Sequence, residues 1–329
     1  MTIYPPSVTG LAPAERARLD GEARQLAEMA ALMSAVVPDL ATLDGLAVAR
    51  AGQEGMAGPA AENVELIEIA GPTGPLVARV IRPDRIEGVC LDVHGGGWCL
   101  GSARQQDPFL VALGTRLGVA TVSVDYRLAP EHPFPAGVDD VEAAVRGFLD
   151  FAPSHFGTDR LVVQGASAGA HLLTLALLRI RDSDGAEALQ PIRGAHLLFG
   201  GYDLSATPSA ANALGAPIIP TRTIDAFVDH FVPGRDVRAR RQPDCSPLYA
   251  DLRDLPPARF TVGGDDPLLD DSLFMAGRWE AAGNHAELGV YPASIHGFIA
   301  FPLGYGPLAA ADSADFLGRA LDRHLPRHT

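Results

Sequence analysis

The stretch Leu161-Val162-Val163-Gln164-Gly165-Ala166-Ser167-Ala168-Gly169 decides the fold. Its first four residues have strand character, and the run from Ala168 to Arg181 reads as a helix, so the Gly-x-Ser-x-Gly pentapeptide sits on a strand-to-helix turn. A serine in that place is held in a strained conformation. Glycines must flank it, because larger residues would collide with the neighbouring elements. The helix N-terminus behind the serine favours developing negative charge. Taken alone, the pentapeptide also suits an ordinary Gly-Ser turn or the tight turn of a dinucleotide-binding fold, so the surrounding chain has to decide.

Working outward, apolar runs of strand length alternate with helical segments. The strands are expected at residues 88–93, 119–124, 161–164, 195–199, 260–263 and 288–291. The helices are expected at 108–117, 138–151, 168–181, 270–282 and 308–324. Continuous apolar strands separated by helices predict an α/β fold with a mostly parallel central sheet flanked by helices. A hairpin precedes it, with Val64 to Ile69 and Leu76 to Ile81 joined through Gly71-Pro72-Thr73-Gly74. Further upstream, Leu19, Ala23, Leu26, Met29, Ala30 and Met33 recur at three- and four-residue spacing and predict an amphipathic helix within residues 12–35. A polar, glycine-containing stretch then leads to Pro59. Residues 205–241 interrupt the alternation with Pro208, Pro217, Pro220 and Pro233 and one helical run from Thr223 to Phe231, which makes them a candidate lid.

Three further features turn the serine into chemistry. His94-Gly95-Gly96-Gly97-Trp98 follows a strand, and consecutive glycines expose backbone N–H groups without side-chain obstruction. Gly95 and Gly96, with Ala168 after the serine, are therefore the expected oxyanion-hole donors. Nine other histidines compete with His296, but only His296 lies in a loop after a strand and before the last helix, where an imidazole can reach the carboxyl ends of the strands. A carboxylate just past the 260–263 strand can hold that imidazole in the right tautomer. Asp266 fits the order Ser, Asp, His found in α/β-hydrolases; Asp265, its neighbour, is the rival.

Bulk properties narrow the partners. The 329 residues carry a formal charge of −14, which argues against a phosphate-binding surface and a nucleic-acid partner. The apolar fraction of 47% supplies a core of ordinary globular size. Cys90, Cys99 and Cys245 lack the spacing of a zinc site or a disulfide framework and suggest a reducing compartment. The first residues lack a basic segment followed by an apolar one, and the apolar helical stretch Leu172 to Ile180 is too short for a membrane span. A cytoplasmic protein with no membrane partner is the expectation. Cys99 has no base nearby in sequence and reads as a packing cysteine rather than a thiol nucleophile.

With these residues in place the chain resembles the hormone-sensitive-lipase-like esterases, the bacterial family IV of the α/β-hydrolase superfamily. The similarity is carried by His94 to Trp98, by Asp125-Tyr126-Arg127-Leu128-Ala129-Pro130-Glu131-His132-Pro133-Phe134-Pro135-Ala136, and by the serine turn. Asp266-Pro267-Leu268 with Asp270-Asp271, and His296-Gly297-Phe298, complete it. The resemblance implies an α/β-hydrolase fold and a Ser167, Asp266, His296 triad, and selects Asp266 over Asp265. It makes the 125–136 run a support beneath the oxyanion loop. It implies a helical cap built from residues 1–50 and the insertion at about 205–241, with 51–329 as the catalytic domain. The expected substrates are small to medium esters and water, with neither metal nor organic cofactor; the same loop and triad also occur in amidases and arylformamidases. Plant gibberellin receptors share the scaffold after losing a triad residue, whereas all three remain here. Trp98, Tyr202 and Phe298 are candidate substrate-binding aromatics, with Phe109 and Phe231 beside them. The resemblance admits a homodimer, although no interface is legible. The chain departs from the family at Ala166, where Asp or Thr is usual, and at Ala170-His171, where Gly-Asn or a similar pair stands.

Overall fold

A computed structural model of the chain describes residues 3–34, 38–56, 58 and 60–322. Eight strands form one sheet: β1 (Glu65–Ala70), β2 (Pro75–Ile81), β3 (Gly88–Val93), β4 (Val119–Val124), β5 (Leu161–Ala166), β6 (Ile192–Leu198), β7 (Ala258–Gly263) and β8 (Ala286–Tyr291). Their order is β1-β2-β4-β3-β5-β6-β7-β8. The β1–β2 and β2–β4 pairs are antiparallel, and the rest are parallel. β3, β4 and β7 are buried along their whole length, as continuous apolar runs covered on both faces must be.

The described helices are α1 (Pro6–Thr9), α2 (Pro13–Ser34), α3 (Leu43–Met56), α4 (Asp107–Leu117), α5 (Ala136–Phe156) and α6 (Ala168–Asp184). They continue with α7 (Pro208–Ala211), α8 (Thr221–Phe231), α9 (Val237–Arg240), α10 (Leu269–Ala281) and α11 (Gly306–Asp322). Several element bounds move by two to five residues, and two differences matter most. Residues 43–56, read as a polar stretch, form α3: Leu46 is buried, and Arg50 donates to Cys99 O, Ala129 O and both oxygens of Glu131. Contacts this distant in sequence override the poor helix propensity of Gly45, Gly52 and Gly55. The last helix starts at Gly306, two residues early, and its expected end at His324, like Ala35 and Pro59 upstream, lies outside the described residues.

α2 packs Leu19, Ala23, Leu26 and Ala30 against Ile295, Phe298, Tyr305 and Ala309, so the N-terminal helices rest on the loop that carries His296. They also meet the insertion, because Ser34 Oγ accepts from Ile218 N at 2.9 Å and the His230 ring lies 2.9 Å from Leu40 O. No described helix is long and apolar enough to cross a membrane.

One buried row breaks the apolar character of the sheet. Ser123, Asp92, Gln164 and His196 stand in register on β4, β3, β5 and β6. Gln164 Nε2 donates to Asp92 Oδ1 at 2.8 Å, while Asp92 Oδ2 has no hydrogen-bond partner among the described residues.

Candidate active site

β5 ends at Ala166 and α6 begins at Ala168, leaving Ser167 between them at φ 54° and ψ −119°. A non-glycine residue at positive φ is strained and persists only where its surroundings impose it. Here Ser167 N donates to Leu198 O at 2.8 Å. The flanking glycines are sterically required: a Cβ on Gly169 would lie 2.0 Å from Val93 O, and one on Gly165 would lie 2.7 Å from Gly169 O. The close approach of β3, β5 and α6 thus explains the Gly-x-Ser-x-Gly spacing.

The segments that follow β7 and β8 converge on this serine. His296 Nε2 lies 3.0 Å from Ser167 Oγ. His296 Nδ1 lies 3.0 and 2.9 Å from Asp266 Oδ1 and Oδ2, and Leu268 N donates to Oδ1 at 2.8 Å. Asp266 is 3% exposed and His296 6%, so the pair is shielded from water, which strengthens its attraction. Asp265 is exposed, with its N–H on Ser294 O, and does not reach the histidine. An imidazole bonded this way carries its proton on Nδ1 and offers the Nε2 lone pair to the serine hydroxyl.

The glycine loop lies directly against the serine turn: a Cβ on Gly95 would sit 2.9 Å from Ala166 O and 3.4 Å from Ser167 Cβ. Among the described residues, no protein group accepts from the N–H of Gly95, Gly96 or Ala168. Unpaired N–H donors beside a nucleophile can bind an oxyanion. The 125–136 run holds this loop from below. Tyr126 Oη donates to His94 O at 3.0 Å, Ala129 N donates to Trp98 O at 2.9 Å, and Asp125 Oδ1 accepts from Ala103 N at 2.7 Å. Arg127 in turn makes a forked ion pair with the buried Asp140. His94 stacks on Tyr126 at 4.3 Å, and burial pushes its pKa down, so the ring is neutral and its Nδ1–H donates to Gly95 O at 2.7 Å.

The candidate aromatics divide. Trp98 stacks on Phe231 of α8 at 4.8 Å. Tyr202 has no accessible surface and packs edge-on against Phe260, and Phe298, 1% exposed, packs on Tyr291. Both are buried among core side chains. Phe199 does meet the site, edge-on to His296 at 4.8 Å, although it reads in sequence as the end of a strand. The second acidic pair of the Asp-Pro-Leu segment anchors the insertion. Asp271 accepts from Tyr202 N, Asp203 N and Thr207 Oγ1, and Asp270 accepts from Ser209 N. All three cysteines are unpaired, and burial pushes the Cys99 thiol up to about 12 and the Cys245 thiol to about 11, which leaves neither a ready nucleophile. No cluster of three or more His, Cys, Asp or Glu among the described residues could hold a metal ion.

Comparison with known proteins agrees with this fold. Residues 90–300 match the model of an alpha/beta hydrolase fold family. The chain is 34% identical over 303 residues to the carboxylic ester hydrolase LipN of Mycobacterium tuberculosis, covering 88% of this chain and 80% of LipN. It is 37% identical over 214 residues to carboxylesterase NlhH of the same organism, a match spanning 64% of this chain and 66% of NlhH, just under two thirds of that enzyme. Among solved structures, a hormone-sensitive lipase from a metagenome library superposes with a TM-score of 0.79 at 30% identity, covering 91% of this chain and 98% of the other.

Proposed function

The chain belongs to the α/β-hydrolase family, among its hormone-sensitive-lipase-like esterases, and from that premise we propose that it cleaves carboxylic esters of small to medium acyl chains through Ser167, His296 and Asp266. The observation that carries this reading is the unbroken line from Ser167 Oγ through His296 to Asp266, beside three N–H groups with no acceptor among the described residues.

In the first half-reaction His296 Nε2 takes the Ser167 proton as Oγ bonds to the ester carbonyl carbon. The carbonyl oxygen becomes an oxyanion held by the Gly95, Gly96 and Ala168 N–H groups. The tetrahedral intermediate then expels the alcohol, which leaves with the proton from His296. A water molecule repeats the sequence on the acyl-serine: His296 removes its proton, the carbonyl re-forms, the acid departs and Ser167 recovers its hydrogen. Asp266 keeps the imidazole oriented and stabilises it when it is protonated.

The cap role of residues 1–50 and 205–241 is part of this reading. It is supported by the contacts of Ser34 with Ile218 and of Leu40 with His230, which join the two segments. Cytoplasmic residence is supported by the three free, buried cysteines. A homodimer is open to sizing by light scattering.

Ser167→Ala should lower p-nitrophenyl butyrate turnover by about 10³-fold or more with unchanged thermal unfolding. Near-parent turnover in that variant would refute the triad. Paired ester and amide substrates on the parent protein distinguish esterase from amidase, and an ester series from acetyl to dodecanoyl sets the acyl limit.

A further inference from the structure

His171 stands four residues after Ser167 on α6 and is completely buried. Its two ring nitrogens hold two different parts of the chain. Nδ1 accepts from Trp98 Nε1 at 3.1 Å, and Nε2 donates to Cys245 O at 2.8 Å. Only one form of the ring meets both demands: neutral, with its proton on Nε2, because the indole is only a donor and the carbonyl only an acceptor. Burial pushes the His171 pKa down to about 4, which keeps the ring in that form at neutral pH.

Trp98 is the residue through which this bond reaches the site. It directly follows Gly95, Gly96 and Gly97, and its backbone is in the left-handed region at φ 61°. Its carbonyl is tied to Ala129 N, its ring face lies on Phe231 with the planes 11° apart, and its indole N–H is tied to His171. The end of the glycine loop is therefore fastened at backbone and side chain alike. A side chain so fixed sets the direction of the N–H groups a few residues upstream, and small misplacements of such donors are costly in catalysis.

We propose that His171 is a positioning residue for the oxyanion loop, acting through its hydrogen bond to Trp98. The inference rests on the oxyanion role proposed above for the Gly95 and Gly96 N–H groups. It also gives meaning to a family departure, since a histidine here spans both the loop and the chain leaving the insertion at Cys245.

Two polar substitutions separate the two bonds of the ring. In His171→Asn the amide oxygen takes the place of Nδ1 and still accepts from Trp98. In His171→Gln the amide reaches the place of Nε2, keeping Cys245 O but leaving the indole N–H unpaired. With p-nitrophenyl butyrate, His171→Gln should lose about 10- to 100-fold in kcat with KM changed by less than about threefold, whereas His171→Asn stays within about fivefold of the parent. Trp98→Phe, which keeps the ring stack and removes the donor, should reproduce the kcat loss. The double variant Trp98→Phe with His171→Gln should be no worse than the poorer single one, as for two changes that break one interaction. Equal kcat in His171→Asn and His171→Gln, parent-like kcat in Trp98→Phe, or additive losses would each overturn the proposal. Should His171→Gln not fold, Trp98→Phe decides alone. Ser167→Ala is the reference: if it remains active, the esterase reading itself fails, whereas an inactive Ser167→Ala beside a parent-like His171→Gln removes only this inference.

Discussion

Asp266→Asn changes one atom of a buried side chain, and the structure dictates which way the new amide turns. Leu268 N donates to Oδ1 at 2.8 Å, so the amide oxygen must take that place and its NH₂ must take the place of Oδ2, 2.9 Å from His296 Nδ1. The NH₂ now opposes a proton on Nδ1, and the oxygen left at the Oδ1 place, 3.0 Å from the same nitrogen, is already held by Leu268 N, so Nδ1 is favoured as the acceptor. The single proton of the neutral imidazole moves to Nε2, 3.0 Å from Ser167 Oγ, and the ring donates to the hydroxyl from which it should take a proton. Catalysis then requires the disfavoured tautomer. The same exchange in an unrelated Ser-His-Asp triad costs about 10⁴-fold in kcat. That corresponds to about 5 kcal/mol of transition-state stabilisation, at 1.36 kcal/mol per decade. Steady-state hydrolysis of p-nitrophenyl butyrate measures the loss. Thermal unfolding should move little, because one hydrogen-bonded polar group replaces another of equal size. Asp265→Asn is the paired control and should retain the parent rate, since Asp265 is exposed and does not reach His296. A folded Asp266→Asn protein within tenfold of the parent kcat would refute the reasoning.

Two further outcomes test the scaffold. Burial pushes the Asp92 carboxyl from its ordinary value of 3.8 up to about 7, because it accepts only the Gln164 amide, so the folded chain binds this proton more tightly than the unfolded one. The resulting stability is fully present below pH 4 and is lost as pH rises toward 7, by up to about 4 kcal/mol. Asn carries no charge across that window, so urea unfolding at pH 5 and 8 should show Asp92→Asn gaining on the parent as pH rises; parallel curves would contradict this. Gly169→Ala should destabilise the fold by more than about 2 kcal/mol, because its Cβ would lie 2.0 Å from Val93 O and 2.4 Å from His94 O, backbone atoms that cannot yield without moving the oxyanion loop. An unchanged melting temperature would show that the turn is looser than its geometry implies.

Much of the fold was legible because its signals are local. The largely apolar runs at 88–93 and 119–124, of strand length and between helical segments, read as strands covered on both faces, and the glycines around Ser167 answer to contacts that any such turn must make. The order of serine, acid and histidine along the chain did the rest. What was hidden depends on distant contacts. α3 carries three glycines and is held through Arg50 by residues 49 to 81 positions away, so helix propensity points the wrong way. The residues alone left Asp265 beside Asp266; the Asp-Pro-Leu resemblance chose Asp266, and it is Asp266 that reaches His296. His171 lies among apolar helix positions, and its link to Trp98, 73 residues earlier, becomes visible only when α6 and the glycine loop are packed together.

The central claim is that Ser167 is a nucleophile activated by His296 beside an oxyanion hole. A fluorophosphonate probe tests it most directly, because it phosphonylates a serine only where such machinery makes the hydroxyl reactive. Incubation with the probe followed by peptide mass analysis should place a single adduct on Ser167, and Ser167→Ala should remain unlabelled. An unlabelled parent protein, or an adduct on another residue with Ser167 unmodified, would contradict it.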